Sequence, residues 1–195
     1  RSGDAMLRPG SAGATALHSE IRIVDAAEAP VGAGEDGEIL VRGGNVMRGY
    51  WNRPELTASA LRNGWYHTGD VGHLDQDGFL YVVTRKRDMI ISGGENVYPE
   101  EVESALLEMA EIKEVCIFSK PDHRLGELVT AAIVLREGAA LTAASVSLFL
   151  TDRLARYKHP RAVHFVTCLP RTSLGKIIRS EVRQSIVGNA PGANP

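Results

Sequence analysis

Residues 65–103, WYHTGDVGHLDQDGFLYVVTRKRDMIISGGENVYPEEVE, hold more chemistry per residue than any other part of the chain. The apolar run at 79–83 reads as a strand, and Trp65 to Asp70 precede it as a segment ending in a TGD turn. Asp75-Gln76-Asp77-Gly78 separates the two, with Asp and Gly where a tight reversal needs them. Asp70 follows Gly69, so its backbone can approach a ligand closely. Its carboxylate is a good acceptor for two neighbouring hydroxyls, such as a ribose diol. The run Arg85-Lys86-Arg87-Asp88 leaves the strand, and arginine there offers a rigid fork for phosphate or ribose oxygens. Met89 to Ile91 is a second apolar strand, broken by Ser92-Gly93-Gly94. Pro99 suits a first helical position, and Glu100, Glu101 and Glu103 suit the first turn. Val102, Ala105, Leu106 and Met109 then form one buried stripe.

Each piece also has a bland reading. A TGD aspartate can simply cap a turn, RKRD can be a solvated basic patch, and a glycine pair can mark only a bend. Order and spacing, not any one motif, carry the functional reading.

Upstream, 20–24 and 38–42 alternate as strands, with a polar Gly-containing turn region from Asp25 to Gly37. A short helix starts at Pro54, with Asn52 or Arg53 near its cap, and Asn63-Gly64 ends it. Downstream, 114–118 is a strand, Pro121-Asp122 begins a loop, and 127–135 is apolar enough to be a central strand. Thr142 caps a helix whose apolar face is Val146, Phe149, Leu150 and Leu154, and Tyr157-Lys158-His159-Pro160 terminates it. Arg156 and Lys158 read as a solvated helix end. Another strand spans 162–167. Residues 170–176, PRTSLGK, form a polar loop made mobile by Gly175 and Thr172-Ser173, and a short helix follows at 177–186.

The expected fold class is α+β: a β-rich region over 1–86, a small α+β domain over 87–187, and a disordered tail over 188–195. The chain has 195 residues, 44% hydrophobic and 24% charged, which is ordinary for a globular protein. The net charge of −2 gives no electrostatic argument for nucleic acid or an anionic membrane. No apolar run is long enough to span a bilayer, and no signal peptide is visible. The chain opens on Arg1, which suggests a fragment. Cys116 and Cys168 sit in apolar strand-like settings and read as buried free thiols in a reducing, cytoplasmic compartment.

WYHTGD, GFLYVVTRKRDMIISGGENVYPEEVE, PRTSLGKIIR and the upstream GEILVRGGNVMRGYWNRPELTASAL together resemble the adenylate-forming superfamily. Within it the resemblance is to AMP-forming acyl-CoA synthetases, over roughly residues 9–183. The resemblance implies the end of a large N-terminal adenylating domain followed by a small C-terminal lid. It implies two half-reactions: a carboxylate attacks the α-phosphate of ATP to give acyl-AMP, and the CoA thiol then displaces AMP. Lys176 matches the family's catalytic lysine, a compact cation that offsets repulsion between carboxylate and phosphate. Asp70 and Arg85 match the nucleotide-binding pair, and Ser92, Gly93 and Gly94 the loop that leaves room for the pantetheine arm of CoA. Arg87 occupies the hinge position, where relatives usually carry Asp or Lys. Contact of Arg156 or Lys158 with CoA phosphates is the alternative to their solvated reading.

The same resemblance places the phosphate loop, the acyl pocket and the Mg²⁺ ligands upstream of Arg1, and no metal site in this chain. The isolated chain is therefore expected to be inactive. The partners implied are ATP/AMP, CoA and a fatty or aryl carboxylic acid, with fatty-acid metabolism as one setting and a homodimer compatible with it. Two alternatives stay open: an amino-acid adenylation domain of a peptide synthetase, and a non-catalytic nucleotide-binding or interaction module.

Overall fold

A computed structural model describes residues 8–188. Past Gly188 the expected disordered tail lies outside the described residues. The chain divides into two compact units, Arg1–Arg87 and Asp88–Pro195.

The first unit is an antiparallel sheet. Its strands are β1 (Gly13–Ala14), β2 (Ser19–Val24), β3 (Gly37–Gly43), β4 (Leu61–Arg62), β5 (Trp65–Leu74) and β6 (Phe79–Arg85). They run β1-β6-β5-β3-β2, with β4 beside β5. The alternation of Glu20-Ile21-Arg22-Ile23 places both charges in solvent and turns both isoleucines inward. Val24, Leu40 and Trp65 form the buried cluster. Over the indole lie the guanidinium groups of Arg22 and Arg42, 4.5 and 4.6 Å from the ring centroid. Gly37 and Gly72 face each other across β3 and β5. A Cβ on Gly72 would stand 2.1 Å from the Tyr81 carbonyl oxygen, so only glycine lets β5 and β6 approach there.

Helix α1 (Pro54–Ala60) starts at the expected proline, with Arg53 at its N-cap. Asn63-Gly64 does not end this helix. It is the two-residue turn of the β4–β5 hairpin, with φ of 51° and 77°. That turn needs two left-handed residues, which Asn-Gly supplies. The Asp75–Gly78 reversal forms as expected: Asp75 Oδ1 accepts from the Asp77 and Phe79 N–H groups at 2.9 Å each.

In the second unit the strands are β7 (Ile90–Ser92), β8 (Glu95–Val97), β9 (Ile112–Asp122), β10 (Gly126–Leu135) and β11 (Ala162–Phe165). The helices are α2 (Pro99–Leu106), α3 (Ala143–Leu150) and α4 (Arg179–Val187). β9 and β10 make a long antiparallel hairpin, and β11 lies parallel to β10 on its other side. β10 is thus central, as its apolar run implies. Val115, Ile117, Val129, Ala131 and Ile133 point to one face, covered by α2 and α3. Cys116, Phe118, Ala132 and Val134 point to the other, where Val182 of α4 packs. Burial on both faces explains why the strand shows no polar alternation.

Several sequence expectations are corrected. Pro121-Asp122 does not begin a loop but belongs to β9. β9 pairs only with β10, and such an outer strand tolerates a residue without an N–H. The turn comes after Asp122, whose Oδ1 accepts from the Arg124 and Leu125 N–H groups. Thr142 does cap α3, in a reciprocal arrangement with Ser145. The helix ends at Leu150, however, and Arg156–Lys158 is a separate 3₁₀ turn. Leu154 still packs on the α2/α3 core, so the apolar periodicity reads through a chain that is no longer helical. Met109 likewise is buried beyond the end of α2. Cys116 is buried, but Cys168 is exposed.

Candidate functional site

The TGD segment is not a turn ahead of a strand. It lies inside β5, as an irregularity. Gly69 has φ of 71°, and the β5–β6 register shifts between Val71 and Gly72. Pairing with β3 and β6 on either side, which no local signal reveals, keeps the chain extended. The Thr68 hydroxyl donates to the Ile39 carbonyl at 2.8 Å and accepts from the Asp70 N–H at 3.0 Å. The Lys86 N–H donates to the Gly69 carbonyl at 2.8 Å. This backbone sets Asp70 opposite Arg85, with Arg85 Nε 2.8 Å from Asp70 Oδ1. Asp70 is half-buried and Arg85 exposed. Near them, the Tyr66 hydroxyl is pushed above its ordinary range, chiefly by its hydrogen bond to Tyr50, then by burial and by repulsion from Tyr50 and Asp70. The Tyr50–Tyr66 pair was not legible in the sequence, because the two residues meet only across the fold.

The basic run Arg85-Lys86-Arg87-Asp88 does not face one ligand as a block. Arg85 meets Asp70. Lys86 Nζ donates to the buried Glu38 at 2.7 Å. His67 Nδ1 lies 3.6 Å from the same carboxylate oxygen. Burial by itself would raise Glu38, but the hydrogen bond and charge of Lys86, with His67, outweigh it and hold the carboxylate below its usual range. Arg87 is exposed and ends the first unit. Asp88 opens the second, paired with Arg179 at 3.2 Å.

Gly93 and Gly94 form the turn of the β7–β8 hairpin, with φ of 63° and 87°. A Cβ on Gly94 would meet open space, so its surface is clear. Ser92 is buried at the base of the hairpin, opposite Gly126. Of these three residues, only the glycines present surface to a ligand.

The PRTSLGK segment is a closed turn, not a loose loop. The Thr172 N–H donates to the Lys176 carbonyl at 2.8 Å, the Gly175 N–H to Thr172 at 2.9 Å and the Ile178 N–H to Pro170 at 2.9 Å. Arg171 pairs with Glu114 at 2.7 Å and also donates to the Gly175 carbonyl. Lys176 stands exposed at the end of this turn. Lys158, expected to be solvated, is largely buried and donates to both oxygens of Glu101 at 2.6 and 2.7 Å. Among the described residues no group of three or more His, Cys, Asp and Glu could hold a metal ion. None of the described helices is long and apolar enough to cross a membrane.

Two family models match the chain. One, AMP-binding enzyme, covers residues 2–51, and the other, AMP-binding enzyme C-terminal domain, covers 101–176. The indoleacetate–CoA ligase of Aromatoleum aromaticum is 49% identical over 94% of this chain and 36% of its own length. The 2-succinylbenzoate–CoA ligase of Geobacillus kaustophilus is 43% identical over 93% and 37%. Among solved structures, o-succinylbenzoate CoA synthetase from Bacillus subtilis, in complex with the acyl-adenylate intermediate OSB-AMP, is 38% identical with a TM-score of 0.84. It covers 93% of this chain and 37% of that one.

The chain belongs to the AMP-binding enzyme family. It spans little more than a third of the length of these relatives. In this AMP-binding enzyme chain, Lys176 is the last residue of the C-terminal family match, and Asp70, Arg85 and the glycine turn fall between the two matches.

Proposed function

We propose that this chain is the C-terminal part of an ATP-dependent acyl-CoA ligase. The enzyme activates a carboxylic acid, fatty or aryl, as acyl-AMP and transfers the acyl group to CoA. The observation that carries this reading is Lys176, an exposed cation fixed at the end of a hydrogen-bonded turn. Adenylation brings two anions together, a carboxylate and an α-phosphate. A preorganised ammonium stabilises the negative charge that accumulates in that step. The closed turn supports this role because little ordering remains to be done when the lysine engages.

Asp70 accepts from the ribose hydroxyls, with Arg85 fixing its orientation and contributing to nucleotide binding. Gly93 and Gly94 leave a side-chain-free surface for the pantetheine arm, and the buried Ser92 supports their hairpin. Arg87 is the hinge between the two half-reactions. Mg²⁺, when bound with ATP, neutralises phosphate charge. On the family resemblance its ligands belong to the part of the ligase upstream of this chain. The isolated 195-residue chain is accordingly inactive, and tight Mg-dependent ATP binding to it would contradict this.

The test is made on the full-length ligase. Lys176→Ala is expected to lower acid-dependent pyrophosphate exchange by about 10²–10³-fold. Thioester formation from supplied acyl-AMP should change far less. Equal loss in both half-reactions would reject the assigned role, and transfer to a carrier protein in place of CoA would reject the acceptor.

A further inference from the structure

Arg179 follows Lys176 by three residues and opens α4. It is the centre of a cluster that joins α4, α2, β9 and the segment before β7. Its Nε donates to the Ile117 carbonyl on β9 at 2.8 Å. Its terminal nitrogens reach Asp88 at 3.2 Å and Glu103 at 2.9 Å, with Glu100 at 3.5 Å. Glu103 in turn accepts from the Ile117 N–H at 2.7 Å. The second carboxylate oxygen of Glu100 is buried without a hydrogen-bond partner. Burial disfavours the charge on Arg179, but Glu103 and Glu100 more than offset this and raise its affinity for the proton.

Such a hub is poorly explained by stability alone, since buried ion pairs are often no better than apolar packing of the same volume. What it joins is more informative. Asp88 is the first residue after Arg87. The Lys176 turn closes through Ile178, directly before Arg179. The guanidinium therefore ties the start of the second unit to the base of the turn that carries the lysine. On the other side of Arg87, Lys86 is held by the buried Glu38. Arg87 lies between two clamped neighbours, each anchored within its own unit.

We propose that Arg179 is a positioning residue, which holds Asp88 and the Lys176 turn in one rigid block so that rotation at Arg87 moves the Lys176 ammonium as a rigid extension. The geometry needs a planar fork, because three partners are approached from separate nitrogens, which a lysine cannot reproduce. The proposal rests on the roles given above to Lys176 and Arg87.

The test compares Arg179→Gln, Arg179→Lys and the milder Asp88→Asn in the full-length ligase, with Lys176→Ala as reference. Amide hydrogen exchange is followed in peptides covering 170–178 and the rest of the second unit, alongside both half-reactions. Arg179→Gln is expected to speed exchange in 170–178 by about tenfold more than in β9 and β10, a local opening. Adenylation kcat should fall about 10–100-fold with the KM for ATP little changed, the cost of a misplaced group. Arg179→Lys should not restore either, and Asp88→Asn should give a smaller version of both. Uniform acceleration across the unit, or full rescue by lysine, would overturn the proposal by showing a general structural or charge role. Unchanged exchange in 170–178 would overturn it as well. If Lys176→Ala keeps adenylation intact, the functional reading fails, while the exchange pattern of Arg179→Gln still decides the positioning role.

Discussion

The two units hold their candidate functional residues by different means. In the second unit the sheet is buried on both faces by its own helices, and its larger core cluster runs from Ile90 to Leu150. In the first, the buried cluster is Val24, Leu40 and Trp65, covered partly by arginine side chains. Packing around the candidate residues thus differs between the units. Lys176 is carried by a well-packed body, whereas Asp70 depends on strand register and charge pairs.

Mutation can test this division, most forcefully in the packed unit. Ile133→Ala should cost about 2–5 kcal/mol, seen as a lowered unfolding transition of the second unit. An unchanged transition would contradict the complete burial of Ile133 in that core. Gly72→Ala should destabilise the first unit by about 1–3 kcal/mol, because the new methyl collides with the Tyr81 carbonyl. An unchanged melting curve would show that β5 and β6 can separate more easily than their pairing implies.

Alkaline pH should separate the units further. Burial pushes the Cys116 thiol up to about 12, with Arg179 opposing and Glu103 adding to the shift. A thiol of raised pKa contributes stability that is complete below the unfolded value. The contribution is lost as pH rises from that value towards the folded one. Stability of the second unit should therefore fall above pH ~9 with an added slope approaching ~1.4 kcal/mol per pH unit. Denaturant titrations of Cys116→Ala should lack that added slope. The smallest effect is expected from Arg85→Ala, where an exposed ion pair with Asp70 contributes under ~1 kcal/mol. Its melting curve should barely move, while nucleotide affinity of the full-length enzyme falls.

Sequence was most legible where local chemistry and tertiary packing agree. The β10 run is apolar because both faces are covered, and Thr142 caps α3 because its hydroxyl reaches the Ser145 N–H. It was least legible where long-range pairing overrides a local signal. Gly69-Asp70 looks like a turn, yet β3 and β6 hold it in a strand. Lys158 looks like a surface charge, yet Glu101 lies within reach only after α2 and the 3₁₀ turn have packed. The PRTSLGK composition suggests mobility, but the backbone bonds that close the turn are invisible in composition. The Arg179 cluster was missed for the same reason: its partners lie 91, 76 and 62 positions away along the chain.

The exposure of Cys168 has a practical consequence. The chain's other cysteine, Cys116, is sealed in the core, so a thiol-reactive spin label or dye added to this chain should attach at one place without any engineering. That place lies two positions before Pro170, at the foot of the turn bearing Lys176. A natural attachment point beside the Lys176 turn is thus available on this chain.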